Sequence, residues 1–333
     1  MRTGGKHFEE TRMGKTYLII NGTGLLGRAL FSLLSNQKEQ ASVILTCRKE
    51  EQKPEGDHFR IADIRNSDEV NAVIAECRPD VIYDFATQDS VSYTWSYPKE
   101  TIDVNINGTI NLLEAVRSYS DDTDNHPRII FCGSGEEYGR TGFSKLPLSE
   151  ESYGRPNNIY GATKECQRML AKLYAKAYGM DIVIMRIFNE ISNDQSDLFS
   201  ISNFAHQFAR MEKGIQEPVL EVGNISNIRC FTDSRDIARA MVLVAEKGKS
   251  GEVYNVANSA PHSLSDVISI LEDLTGIKAE LKADAKRIRP IDAPAITADI
   301  TKIKHDIGWE PEIPLEQTVT ELLQYWKDFE SRQ

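Results

Sequence analysis

The chain has 333 residues, 40% of them hydrophobic and 27% charged, with a formal net charge of −11. That length suits one large unit plus a smaller lobe; the acidity disfavours nucleic acid and anionic membranes as partners, and no apolar run approaches the roughly 20 residues that span a bilayer. Cys47, Cys77, Cys132, Cys166 and Cys230 are scattered without a Cys-x-x-Cys pair and the histidines lack ligand spacing, which suits reduced thiols in a cytoplasm and gives no reason to expect a metal.

Residues 1–13 are polar, lack the apolar segment of a signal peptide and lead to a second potential start at Met13-Gly14, so they are expected to be a disordered leader or tag. Tyr17-Leu18-Ile19-Ile20 then reads as a buried strand. It runs into Asn21-Gly22-Thr23-Gly24-Leu25-Leu26-Gly27 and a helical pattern through Leu30, Leu33 and Leu34. Strand, Gly-x-Gly-x-x-Gly and helix in that order is an arrangement for a dinucleotide. The glycines allow a tight turn and close backbone approach, and the helix N-terminus favours a pyrophosphate. Gly22, Gly24, Leu25, Leu26 and Gly27 are therefore candidate cofactor contacts; the plainer reading is a glycine turn with no ligand.

A second strand, Val43-Ile44-Leu45-Thr46, ends in Cys47-Arg48-Lys49. An NAD-binding fold usually carries an acid here for the ribose 2′-hydroxyl. None is present, and Arg48 stands where a 2′-phosphate would lie, so NADP(H) is favoured and NAD(H) remains open. The plainer reading of Arg48 is a solvated loop cation. Further strands are expected at 59–62, 80–86, 128–132 and 182–185. Helices are expected near 67–77, over 99–119, and from Asn158 to near Tyr178 with a stop at Gly179. This alternation implies a doubly wound parallel α/β sheet of Rossmann type. Beyond Arg186 the rhythm loosens, with helices near 198–213, 234–247, 263–274 and 315–328 and strands near 219–222 and 252–256. The expected division is a dinucleotide-binding domain of 14–187 plus about 232–257, and a smaller C-terminal substrate-binding lobe of 188–231 plus 258–333.

Within the helix opening at Asn158, Tyr160 and Lys164 are four apart and share a face. An ammonium beside a phenol favours the phenolate, lowering a pKa that is ordinarily about 10. Such a pair can exchange a proton with an alcohol oxygen while hydride moves; a Tyr and a Lys on a wet helix face are the bland alternative.

Gly22-Thr23-Gly24-Leu25-Leu26-Gly27, Ser134 in Gly133-Ser134-Gly135-Glu136-Glu137-Tyr138-Gly139, and Tyr160-x-x-x-Lys164 occur in order. With Arg186-Ile187-Phe188-Asn189, Arg229-Cys230-Phe231-Thr232-Asp233, Arg289-Pro290 and Gly308-Trp309-Glu310-Pro311 they resemble the extended short-chain dehydrogenase/reductases that act on nucleotide sugars. The resemblance covers residues 16–330, and within the family it is strongest to the GDP-4-keto-6-deoxy-mannose reductases. It implies that Ser134 binds the reacting sugar oxygen, Tyr160 is the acid/base, Lys164 holds the nicotinamide ribose and lowers the Tyr160 pKa, and Asn105 supports the group. It implies Asp63 and Ile64 at the adenine, although Asp63 is equally a helix cap, and Ala86 beside the cofactor. It places Asn189, Arg229 and Arg289 at the nucleotide diphosphate, where arginine's fork of donors suits phosphate. Glu136 matches a glutamate that moves the proton next to the keto group in related 4,6-dehydratases and also occurs in the similar reductases. Glu137 is expected to be an exposed neighbour, and Arg186 structural.

Three departures stand out. Asn21 replaces a usual glycine, so its side chain threatens to crowd the pyrophosphate; Ser192-Asn193-Asp194-Gln195-Ser196 replaces Gly-Pro-Gly-Gln-Ser; and Cys230 replaces an Asp. The resemblance implies an NADPH-dependent reductase of a nucleotide-linked, GDP-favoured, 4-keto-6-deoxyhexose. A 4,6-dehydratase or 4-epimerase with retained cofactor is the alternative, and a non-catalytic dinucleotide sensor a remote one. It also implies a homodimer paired through the helices at about 99–119 and 158–178.

Overall fold

The computed structural model describes residues 14–36, 41–49, 56–140, 145–284 and 293–332; Arg289 lies outside the described residues. The first six strands of the central sheet are β1 (Thr16–Ile20), β2 (Ser42–Cys47), β3 (Phe59–Ile61), β4 (Val81–Asp84), β5 (Arg128–Ser134) and β6 (Ile182–Ile187). Shorter strands follow as β7 (Glu190–Ile191), β8 (Val219–Val222), β9 (Ile228–Arg229), β10 (Thr232–Asp233), β11 (Val253–Val256), β12 (His262–Ser263), β13 (Glu280–Ala283) and β14 (Ala295–Ile296). The helices are α1 (Leu25–Ser35), α2 (Ser67–Cys77), α3 (Val91–Ser96), α4 (Pro98–Ile102), α5 (Gly108–Asp122), α6 (Ile159–Tyr178), α7 (Ser200–Glu212), α8 (Ser234–Lys247), α9 (Leu264–Thr275), α10 (Thr301–Ile307) and α11 (Leu315–Arg332).

Seven parallel strands lie in the order β11-β6-β5-β4-β1-β2-β3. The chain winds one way through β1, β2 and β3 and the other way from β4 onward, so the order reverses between β1 and β4. In open sheets of this type ligands bind beyond the strand carboxyl ends at such a switch point. The inner strands are largely apolar because both faces are covered. One face packs Ile19, Tyr83, Ile130 and Met185 against α1, α8 and α10; the other packs Leu18, Ile82, Phe131 and Ile184 against α2, α5 and α6. A separate apolar cluster, with Phe204, Phe208, Leu271, Leu322 and Trp326, joins α7, α9 and α11.

Most elements fall where their periodicity places them, and α6 stops at Gly179, which takes the left-handed backbone (φ 67°) expected of it. The long helix anticipated over 99–119 is different. It divides into α4, a π-helical turn over Asp103–Asn107, and α5. An inserted π-turn re-aims the side chains it carries, and here it carries Asn105, which is fully buried. The helices α3 and α10 were not anticipated, since six or seven residues give too short a periodic pattern.

The glycine loop is held by packing. A Cβ on Gly27 would sit 2.2 Å from the Gly22 carbonyl oxygen, because α1 starts directly against the loop. That contact is with backbone, so no side-chain shift relieves it. Gly27→Ala is therefore expected to lower stability by about 2–3 kcal/mol or more, read as a lower urea midpoint at unchanged slope.

Candidate active site

The loop after β1 fits a dinucleotide. Asn21 takes the left-handed conformation (φ 56°) that a glycine would otherwise supply. Its side chain turns to the Phe85 carbonyl at 3.4 Å, and its N–H donates to the Thr46 hydroxyl at 2.9 Å. It thus ties the ends of β1, β2 and β4 together, and the anticipated crowding has a specific outlet. Gly24 is the N-cap of α1 with no side-chain cap, and a Cβ there would meet nothing within 4 Å. The helix thus presents uncapped N–H groups to open space, as a pyrophosphate requires. Leu25 and Leu26 begin the helix and are half-buried.

Arg48 follows directly after β2, partly exposed, with the Glu100 carboxylate 4.0 Å away. Asp63 holds Arg65 through both carboxylate oxygens, at 2.9 and 2.6 Å, and this pairing keeps its carboxyl below the usual range. It is not the cap of α2. Asn66 is, accepting from the N–H groups of Asp68 and Glu69. Ile64 is buried and packs beneath Gly108; Ala86 is buried at the end of β4, its N–H on the Asp84 carboxylate at 2.9 Å.

The catalytic candidates converge where β5 ends. Ser134 is its last residue; its hydroxyl accepts from the Glu136 N–H at 3.2 Å and acts on the Tyr160 phenol, favouring its charged form. Asn158 caps α6 through the Gly161 N–H (2.8 Å) while its amide donates to the Glu136 carboxylate at 2.8 Å. Gly161 lets this turn approach, since a Cβ there would lie 2.4 Å from the Glu136 carbonyl oxygen. Asn105, on the π-turn, accepts from the Gln88 N–H at 2.7 Å and donates to the Thr163 hydroxyl at 2.9 Å. It fastens α6 to the segment after β4.

Lys164 is 2% exposed, and its ammonium donates to the Cys132 carbonyl at 2.8 Å and to Gln167 at 3.1 Å. Gln167 in turn donates to the Asp84 carboxylate at 3.2 Å and to Thr109 at 2.8 Å. Burial pushes the Asp84 carboxyl up to about 6 and the Lys164 ammonium down, each partly held in its charged form by the other. Lys164 is thus committed to β5 and α6. The expected lowering of the Tyr160 phenol is corrected accordingly: enclosure, then the Asp89 charge, raise it well above its ordinary value, opposed by the Ser134 hydrogen bond. Sharing a helix face with an ammonium is not enough when that ammonium's bonds point into the sheet.

Glu137 is not an exposed neighbour. It is fully buried, accepts from the Ser134 N–H at 2.8 Å and pairs with Arg186 at 2.7 Å. The Arg186 guanidinium also lies 4.4 Å over the Tyr138 ring. Arg186 is structural as expected, and what it supports is the turn that aims Ser134 and Glu136. Of the diphosphate candidates, Asn189 is exposed with its carbonyl accepting from the Thr232 N–H at 2.9 Å. Arg229 is 6% exposed and donates to the Ile228 carbonyl at 2.9 Å. Asp89 and Glu190 went unmarked in the sequence, although each is an acid a few residues beyond a strand end, and that position was the available signal.

A parallel sheet with a glycine-loop helix at the switch point and a Ser–Tyr–Lys group at the end of β5 defines an enzyme of the extended short-chain dehydrogenase/reductase class, NAD(P)-dependent oxidoreductases that use a nicotinamide dinucleotide. The family model described as GDP-mannose 4,6 dehydratase matches residues 18–322, and the chain belongs to that family. It is 30% identical over 251 residues to the GDP-6-deoxy-D-mannose reductase of Pseudomonas aeruginosa, covering 75% of this chain and 81% of that protein. It is 27% identical to GDP-mannose 4,6 dehydratase 2 of Arabidopsis thaliana, covering 78% of this chain and 68% of that one. Among solved structures, RMD from Pseudomonas aeruginosa complexed with NADPH superposes with a TM-score of 0.83 at 26% identity, over 95% of this chain and 99% of that chain. Among the described residues no helix is long and apolar enough to cross a membrane.

Removing one partner of a buried ion pair strands the other's charge. Glu137→Ala is expected to cost about 3–5 kcal/mol in chemical denaturation, whereas Glu136→Gln, at a partly exposed carboxylate, is expected to cost less than about 1 kcal/mol.

Proposed function

We propose that this enzyme reduces the C4 ketone of a nucleotide-linked 4-keto-6-deoxyhexose, GDP-linked by preference, with NADPH as hydride donor. The observation that carries the reading is the convergence of Ser134, the last residue of β5, and Tyr160, at the start of α6, with burial holding the phenol in its protonated form. A ketone that accepts hydride becomes an alkoxide, and the site then needs a proton donor. A raised phenol is the donor form, with Ser134 aimed at the same oxygen. Lys164 would hold the nicotinamide ribose, with Asn105 fixing α6 beneath it. Gly22, Gly24, Leu25, Leu26 and Gly27 would hold the pyrophosphate, with Asp63, Ile64 and Ala86 along the adenosine side. The bound dinucleotide supplies the hydride; every other role falls to these side chains.

Arg48 supports NADPH over NADH, because a partly exposed guanidinium whose carboxylate neighbour, Glu100, lies only at the 4.0 Å limit of an ion pair suits a 2′-phosphate. Gly135 supports reduction over dehydration, since dehydratases resembling this chain often place an acid or hydroxyl there. The similarity to a curated GDP-6-deoxy-D-mannose reductase supports the GDP-sugar. We place the sugar nucleotide against the lobe built on α7, α9 and α11, with Asn189, Arg229 and Arg289 toward its diphosphate. A homodimer through α6 is part of the same proposal: Met169 and Leu173 are 53% and 60% exposed on that helix.

The second reading is a 4,6-dehydratase or 4-epimerase, favoured by the Glu136 carboxylate that Asn158 holds at 2.8 Å. The two separate in one experiment. Purified enzyme mixed with NADPH and GDP-4-keto-6-deoxy-mannose is expected to consume NADPH, faster than NADH, with activity falling at least about 100-fold in Tyr160→Phe. Undiminished turnover in that variant would overturn the mechanism. Tightly bound oxidised cofactor with no net consumption would favour the second reading.

A further inference from the structure

The segment that follows β7 reaches back to the glycine loop. Arg28 sits one turn into α1, its N–H on the Gly24 carbonyl at 3.0 Å. Its guanidinium turns toward the helix N-terminus and donates to the carbonyl of Thr23, between Gly22 and Gly24, at 3.1 Å. From there it also donates to the Asp194 carboxylate at 2.8 Å, a contact between residues 166 positions apart. The cation therefore stands on the rim of the loop whose uncapped N–H groups suit a pyrophosphate. Asp194 occupies a position where the similar reductases tend to have glycine, so the contact is particular to this chain and not part of the resemblance.

Asp194 is presented from a braced turn. Ser192 and Gln195 on either side of it are buried, and the Gln195 N–H closes the turn on the Ser192 carbonyl at 3.3 Å. The Ser192 hydroxyl donates to the second Asp194 carboxylate oxygen at 2.6 Å. The Gln195 carbonyl accepts from the Ser202 hydroxyl on α7, and that hydroxyl accepts from the Trp326 indole on α11 at 2.9 Å. One turn of chain thus ties the carboxylate to the core of the α7, α9 and α11 lobe, while its partner is tied to the glycine loop. The Arg28 and Asp194 side chains are 53% and 41% exposed, and a pair in that setting adds little to folding stability and is screened by salt. Its consequence lies in what it spans.

We propose that Asp194 is a positioning residue for the dinucleotide: through Arg28 it straps the lobe across the glycine loop and sets how fast the cofactor leaves. A dinucleotide whose pyrophosphate lies on α1 is then released only when the pair opens. A solvent-exposed pair opens far more easily than a buried one, which suits an enzyme that exchanges oxidised for reduced cofactor at every turnover. The inference rests on the dinucleotide reading above.

Stopped-flow displacement of NADPH from the intact enzyme, followed by its fluorescence, reads release without turnover. Asp194→Asn is expected to speed release about two- to fivefold, the range that an exposed ion pair supports, with the urea midpoint nearly unchanged. Asp194→Glu should retain most of the slow release. Adding Asp194→Asn to Arg28→Ala should have no further effect, because the carboxylate acts through that guanidinium. At about 1 M salt, where the screening length falls to about 3 Å, the ratio of variant to wild-type rates should approach one. Slower release in Asp194→Asn would mean that the carboxylate competes with the phosphates for Arg28, and would overturn the strap. An unchanged rate, or an effect that persists in Arg28→Ala, would overturn it as well. Failure of the wild type to bind either NADPH or NADH would overturn the dinucleotide reading and this inference with it.

Discussion

One buried ammonium fixes the geometry on which the site depends. The Lys164 Nζ reaches the Cys132 carbonyl on β5, and its neighbour Gln167 reaches Asp84 on β4. An ammonium in the interior is costly unless its donors are used and a carboxylate is near. Both conditions are met only when α6 lies across the carboxyl ends of those two strands. The network therefore specifies the seat of α6, and Tyr160 is carried to Ser134 by that seat. Asn105 adds a second fastening from the π-turn, through Thr163. A buried polar network of this kind stabilises little in net terms, but it penalises every other arrangement.

The same economy of charge runs through the turn after β5. Glu137 and Arg186 neutralise one another beneath it, and Glu137 also accepts from the Ser134 N–H. Glu136, one residue earlier, points the other way toward Asn158. Two adjacent glutamates thus divide between holding the turn and holding the start of α6. Beyond the strand ends, Arg28 pairs with Asp194 and Arg235 with Asp233, while Asp89 and Glu190 form no ion pair among the described residues. For a chain of net charge −11 that handles anionic ligands, the placement of each cation matters more than the total.

What the sequence disclosed was local. Apolar runs such as Ile182-Val183-Ile184-Met185, the glycine loop between strand and helix, and the Gly179 stop are short-range patterns, and the sheet follows from their alternation. The resemblance added Ser134 and Asn105 in order. What stayed hidden was long-range. Nothing next to Glu137 announces that Arg186 waits 49 residues away. Nothing at Lys164 shows that its bonds go to Cys132 and its neighbour's to Asp84, nor that enclosure would dominate at Tyr160 and raise its phenol. The π-turn is invisible because nothing local marks it; what accompanies it is long-range, the packing of Gly108 on Ile64 and the buried bonds of Asn105. Among the departures, Asn21 proved compatible with the loop, and Asp194 in the 192–196 segment supplies the clasp to Arg28.

The central claim is that hydride passes from the nicotinamide to C4 of the sugar and stays there, with Tyr160 supplying the proton. Isotope transfer tests it most directly. Enzyme supplied with NADPH deuterated at the transferring position and with GDP-4-keto-6-deoxy-mannose should give a deoxyhexose carrying one deuterium at C4 for each NADPH oxidised. A product free of deuterium, or formed without net oxidation of NADPH, would contradict the account.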